Sequence, residues 1–118
     1  MGGNFRVASF LESLAVKAPC VVVTNVNLTL SGQQTVNGTP VVADDRVLVK
    51  DQTDNTENGI YNVELTAWVR AKDFDQGNDM VNGTLVIVAV GATVTLYSLE
   101  ATNPVVIDTS AIVFNLLL

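Results

Sequence analysis

Two different spacings of hydrophobic residues divide this chain. Near its start, Val7, Phe10, Leu11, Leu14 and Ala15 recur at intervals of three and four, the period of one helix face. Ser9 followed by Glu12 has the form of a capping box, and Pro19 stops a helix from continuing. The spacing predicts a short amphipathic helix from about Phe10 to Lys17. Two turns of helix do not persist alone in water, so the apolar face rests either on its own domain or, as an arm, on a neighbouring subunit.

From Cys20 onward, β-branched residues come in short runs punctuated by turns, the pattern of an all-β domain. Strands are expected over Val21–Thr24 and Leu28–Leu30. Asn37-Gly38, between Gln34-Thr35-Val36 and Thr39-Pro40-Val41, marks a hairpin because both turn residues tolerate positive φ. Pro40 lacks a ladder donor and belongs at an edge. Asn82-Gly83 marks a second tight turn before a strand over Thr84–Val90, and further strands are expected over Thr93–Leu99 and Ile107–Leu118.

Alternation assigns faces in the middle of the chain. Val47 and Val49 point one way and Arg46, Leu48 and Lys50 the other; Tyr61, Val63 and Leu65 oppose Ile60, Asn62 and Glu64. The expected core therefore starts with Val47, Val49, Tyr61 and Val63. Trp68 shares a face with Arg70, which makes either a structural pair at the edge of the core or a platform for a ligand. After Asp108 there is no charged residue, and the run Ile112 to Leu118 is apolar except for Asn115. Its leucines need cover from the domain or from a symmetry mate, at roughly 1.5–3 kcal/mol of stabilisation per buried side chain. Phe10, Leu11, Leu14, Trp68, Phe114, Leu116 and Leu118 are the candidate interaction residues. The expected organisation is an N-terminal arm with a short helix over 1–19 and a single β domain over 20–118, built as a β-sandwich or a jelly-roll-like barrel.

Composition sharpens this picture. Charged residues make up only 15% of the 118 residues, against about 25% in an ordinary soluble domain. So sparse a charge suggests that part of the surface is covered by self-association or by docking onto a larger assembly. The net charge of -6, with no basic run, argues against partners with an anionic backbone or headgroup, that is, nucleic acid or membrane. The longest apolar run, Leu85 to Ala92, is far shorter than the roughly 20 residues of a membrane helix and reads as a buried strand. Cys20 stands alone between Pro19 and Val21-Val22-Val23, a buried structural thiol rather than a reactive one.

The chemistry available is limited. There is no histidine, which removes the commonest general base, the usual nucleophile triads and most zinc sites. The acidic clusters around Asp44-Asp45, Asp51 to Glu57 and Asp73 to Asp79 carry the Asp and Asn that turns require. The last is the first choice for a cation, although it lacks the EF-hand order of ligands. No catalytic residue, cofactor or metal site is expected, and the protein is read as not an enzyme.

Asp45-Arg46-Val47-Leu48-Val49-Lys50-Asp51-Gln52-Thr53, then Glu57-Asn58-Gly59-Ile60-Tyr61 and Trp68-Val69-Arg70-Ala71, together resemble a small β module of the tail fibres and other structural proteins of tailed bacteriophages. The resemblance extends upstream through Leu28 to Gly38 and downstream through Asn82 to Val86 and Thr109 to Phe114, in the same order. Residues Met1 to Pro19 have no counterpart in it, and Tyr97 stands where a tryptophan is expected. The family is structural, so no catalytic residues carry over. A module of this kind standing alone, with an apolar arm and an apolar last strand, implies a capsid decoration or cement protein. It would be made in the host cytoplasm and carried on the capsid surface of the virion, with the major capsid protein and further copies of itself as partners. The alternative is a tail-fibre or tail-associated module for host attachment, using Trp68, Tyr61 and the Asp73 to Asp79 loop.

Overall fold

The computed structural model describes residues 16–118, which form ten strands arranged as two four-stranded sheets and one hairpin. β1 (Val16–Cys20) and β2 (Val22–Val23) are nearly continuous, yet they belong to different sheets. β3 (Gln34–Val36) and β4 (Thr39–Val41) form the hairpin. β5 (Arg46–Val49), β6 (Gly59–Asn62) and β7 (Val69–Arg70) complete the sheet that β2 begins, in the order β2-β5-β6-β7. β8 (Leu85–Val90), β9 (Thr93–Glu100) and β10 (Val113–Leu116) complete the other, in the order β1-β8-β9-β10.

The N-terminal end of this arrangement corrects the expected helix. Val16 and Lys17 are strand residues, paired in parallel with Leu85 and Val86 of β8. Val16–Pro19, expected in the arm, thus belong to a sheet. The remainder of the expected helix, with Phe10, Leu11 and Leu14, lies outside the described residues. Pro19 does not end a helix but sits in a bulge: the register steps from Lys17 opposite Val86 to Cys20 opposite Val88. A proline fits where the extra residue of a bulge has no ladder bond to make. The change of sheet at Val21 is held by Arg46, whose carbonyl accepts from Val21 N at 2.8 Å and whose Nε donates to Ala18 O at 2.9 Å.

The core has two compartments. Between the sheets lie Cys20, Val86, Val88, Tyr97, Leu99 and Phe114 from one and Val23, Leu48 and Ile60 from the other, with Phe74, Met80 and Ile112 from the connections. On the far side of the β2-β5-β6-β7 sheet, Val22, Val47, Val49, Tyr61, Val63 and Trp68 pack under Val36 and Val41 of the hairpin and under Leu28 and Leu30. Alternation grouped Val47, Val49, Tyr61 and Val63 as expected, but Leu65, assigned to the same face, lies beyond the strand and is 72% exposed, and Leu48 and Ile60, on the supposed outer face, are as fully buried as Val47 and Val49. The reason is that both faces of this sheet are covered, where alternation assumes one wet face.

Other expectations shift in the same way. Asn37 (φ 45°) and Gly38 (φ 82°) make the hairpin turn, the positive-φ pair that right-handed strand twist demands. Leu28–Leu30 is not a strand: Leu28 N donates to Gln52 Oε1 and Gln52 Nε2 donates to Leu28 O, both at 3.0 Å. A side-chain amide thus stands in for a strand neighbour. Of Ile107–Leu118 only Val113–Leu116 is strand, because the chain first turns at Asp108, where φ is 63°. Among the described residues no helix is long and apolar enough to cross a membrane.

Candidate interaction surface

The two sheets differ in how they are covered. Among the described residues, the β2-β5-β6-β7 sheet has a packed layer on each face, whereas the β1-β8-β9-β10 sheet has one only on its inner face. Strand pairing fixes what its outer face presents. Val16 stands beside Leu85, Leu85 beside Ser98, Ile87 beside Leu96, Ala89 beside Val94 and Val113 beside Glu100. None of these belongs to either core cluster. Val94 is 62% exposed, Val16 and Val113 are also exposed, and Leu85, Ile87 and Leu96 are half-buried. The expected buried strand over Leu85 to Ala92 is therefore buried on alternate residues only, Val86 and Val88 facing in. Among the described residues the one charge on this face is Glu100, at its rim, where it accepts from Asn115 Nδ2 at 2.8 Å. Beside it, Asn82, Thr102, Asn103 and Val113 line an open depression of about 430 Å³.

β10 is one edge of this sheet. Leu116, Leu117 and Leu118 are 60%, 51% and 77% exposed. Their backbone is nevertheless held, since Leu117 N donates to Leu96 O at 2.8 Å. Phe114, by contrast, is buried, its ring tilted against Phe74 with centroids 5.9 Å apart. The C-terminal candidates thus separate into one core residue, Phe114, and two surface residues, Leu116 and Leu118.

Trp68 is 6% exposed, with Nε1 donating to Gly32 O at 2.8 Å and its backbone N to Leu30 O at 2.9 Å. It closes the compartment under the hairpin and shows no ring face to an incoming ligand. The cation over an aromatic ring is Arg70 above Tyr61, 5.1 Å from the centroid, not above Trp68. Arg70 also donates to the carbonyls of Asn58 and Thr56 at 2.9 and 2.8 Å, tying down the short turn Asn55–Glu57. Tyr61 donates its hydroxyl to Glu57 O at 2.5 Å, and burial pushes its ionisation upward. The two aromatics proposed for host attachment are both structural.

Asp73 and Asp79 of the acidic loop are engaged internally, while Asp75 Oδ1 is buried without a hydrogen-bond partner among the described residues. Asp73 takes both terminal nitrogens of Arg46, at 2.8 and 2.7 Å. Asp79 Oδ2 accepts from the backbone of Asp75 and Gln76, and its carbonyl accepts from the buried Lys17 ammonium. Burial lowers the Lys17 pKa, against the raising influence of Asp73 and Asp79. Cys20, deep between the sheets, is pushed up to about 12, chiefly by burial. Among the described residues no three carboxylate or thiol side chains converge as a metal site.

Comparison of the chain with models of protein families, with curated proteins and with solved structures finds no match in any of the three.

Proposed function

We propose that this protein is a non-enzymatic structural protein of a virion, a decoration or cement protein that docks on the major capsid protein and bridges neighbouring subunits on the capsid surface. The observation that carries the reading is the outer face of the β1-β8-β9-β10 sheet, over which no described residue packs and which presents Val16, Leu85, Ile87, Val94, Leu96 and Val113, interrupted only by Ser98, Asn115 and Glu100. Such a face in a chain that is 15% charged suits a protein that works while covered. Many weak contacts of this kind, repeated by capsid symmetry, hold a shell through multivalency. We read the fold as a β-sandwich rather than a closed jelly-roll barrel, since the two sheets share a core without sharing a strand ladder. The resemblance of Asp45–Thr53 and Glu57–Tyr61 to phage structural modules supports the virion assignment.

Immunogold labelling of intact particles tests it. Dense labelling of the head is the expected result, and recombinant protein carrying Leu96→Glu should fail to rebind stripped heads while melting like the wild type. Labelling confined to the tail would overturn the cement reading in favour of a tail module.

A further inference from the structure

We infer that β10 is a self-pairing edge. Two copies of the chain join their β10 strands antiparallel about a two-fold axis at Asn115, so that the β1-β8-β9-β10 sheet runs continuously from one copy into the other. The inference deepens the assembly reading of this sheet and stands apart from where on a particle the protein sits.

The first argument is backbone parity. In an antiparallel ladder, hydrogen-bonding groups point alternately toward one neighbour and the other. Leu117 N donates to Leu96 O, so within the strand the odd-numbered residues address β9 and the even-numbered ones point outward; past its last residue the alternation stops, and Leu118 too bonds Leu96. Ile112 obeys the rule: its N donates to Asn55 O at 3.2 Å and its carbonyl accepts from Asn58 Nδ2 at 2.9 Å. The next outward pairs of groups, on Phe114 and Leu116, meet no neighbour among the described residues.

The second argument is the contrast with the other edges. β1 carries Lys17, Pro19 and a bulge, β4 carries Pro40, β3 is three residues long, and β2 and β7 are two residues long. Those are the devices by which sheets refuse a further strand. β10 has none of them, with no charge, proline or bulge from Ile112 to Leu118.

The occupant follows from self-complementarity. An axis at Asn115 sets Phe114 opposite Leu116 of a second copy and Leu116 opposite its Phe114, so each free N–H meets a free C=O. It also sets Val113 opposite Leu117, apolar against apolar on the outer face. A closed two-fold contact uses one patch twice and continues the apolar face across a seam that itself carries no charged side chain.

Sedimentation velocity over a concentration series tests this on the purified protein, whereas capsid docking is read on particles, so either can fail alone. The wild type should pass from monomer to dimer below about 1 mM. Leu116→Pro removes an outward N–H without removing a bond to β9, and Leu116→Lys adds an edge charge; each should weaken the dimer at least tenfold. Val94→Lys, on the same sheet away from the edge, should leave it unchanged. Amide exchange at Phe114 and Leu116 should slow as the dimer forms, while that at Asn115 stays constant. A wild type that remains monomeric, a dimer insensitive to both Leu116 variants, or unchanged exchange at Phe114 and Leu116 would overturn the inference.

Discussion

Asn58 donates its side-chain amide to the carbonyl of Ile112 at 2.9 Å across a sequence separation of 54 residues. The same side chain accepts from Gln52 N at 3.0 Å, and Asn58 is 2% exposed. One residue at the start of β6 therefore fixes both the approach of the Gln52 loop and the entry into β10. Asn58→Ala strands a buried N–H and a buried carbonyl, each costing about 1–3 kcal/mol. Urea denaturation should show a loss of roughly 2–6 kcal/mol with an unchanged slope.

Val49 is fully buried and pairs with Gly59 beneath the hairpin. Val49→Asp places an unpaired charge there, at a cost of several kcal/mol, comparable to the whole stability of a domain of this size. The variant should be largely unfolded by circular dichroism at pH 7. A cooperative melt near the wild-type temperature would contradict the two-compartment core.

Cys20 supplies a pH signature. Its thiol, with an ordinary value of 9.0, is raised to about 12 by burial, so the fold binds that proton more tightly than the unfolded chain does. Its contribution is complete below pH 9 and is lost as pH rises toward 12, at about 1.4 kcal/mol per pH unit. Lys17 acts in the opposite sense, because its burial lowers its pKa and the cost of holding its charge is relieved as pH rises. Comparing wild type with Cys20→Ala isolates the thiol: the stability difference should shrink steadily above pH 9. A constant difference would mean that Cys20 ionises freely in the fold.

Gly77 marks a close approach between two connections. A Cβ there would lie 1.8 Å from the carbonyl oxygen of Val105, a backbone atom that cannot rotate away. Gly77→Ala should cost about 3 kcal/mol by overpacking and lower the melting temperature by several degrees. Gly38→Ala, with nothing within 4 Å of its Cβ but a φ of 82°, should cost only the smaller strain of a left-handed residue.

How much of this was legible before the structure depends on the range of the interaction. The Asn37-Gly38 hairpin and the inward set Val47, Val49, Tyr61 and Val63 follow from local rules, and they stand. That Leu48 and Ile60 are equally buried needed knowledge of a second covering layer, which no local period encodes. Val16 and Lys17 fall at the end of the expected helix, yet parallel pairing with β8 decides their conformation, an instance of tertiary context overriding a weak local pattern. Trp68 was a candidate for contact because aromatics beside cations often bind; Gly32 and Leu30, distant in sequence, claim it for the interior instead. The outer face of the β1-β8-β9-β10 sheet is not legible locally because β8, Leu85–Val90, is aliphatic on both sides. Val86 and Ile87 look alike in sequence, and only strand pairing tells which one faces out.

The parallel pairing of β1 with β8 also has a consequence for how the chain is made. Synthesis proceeds from the N-terminus at roughly 5–20 residues per second, so β1 is complete several seconds before the strand it joins. During that interval the chain can form the β2-β5-β6-β7 sheet, but β8, β9 and β10, which cover its inner face in the finished fold, are not yet made. Leu48 and Ile60 stay wet, and Cys20, whose thiol the finished fold keeps protonated and enclosed, is open to oxidants. A cysteine inert in the mature protein is thus chemically vulnerable chiefly at birth. Its protection arrives with the synthesis of β8 and β9.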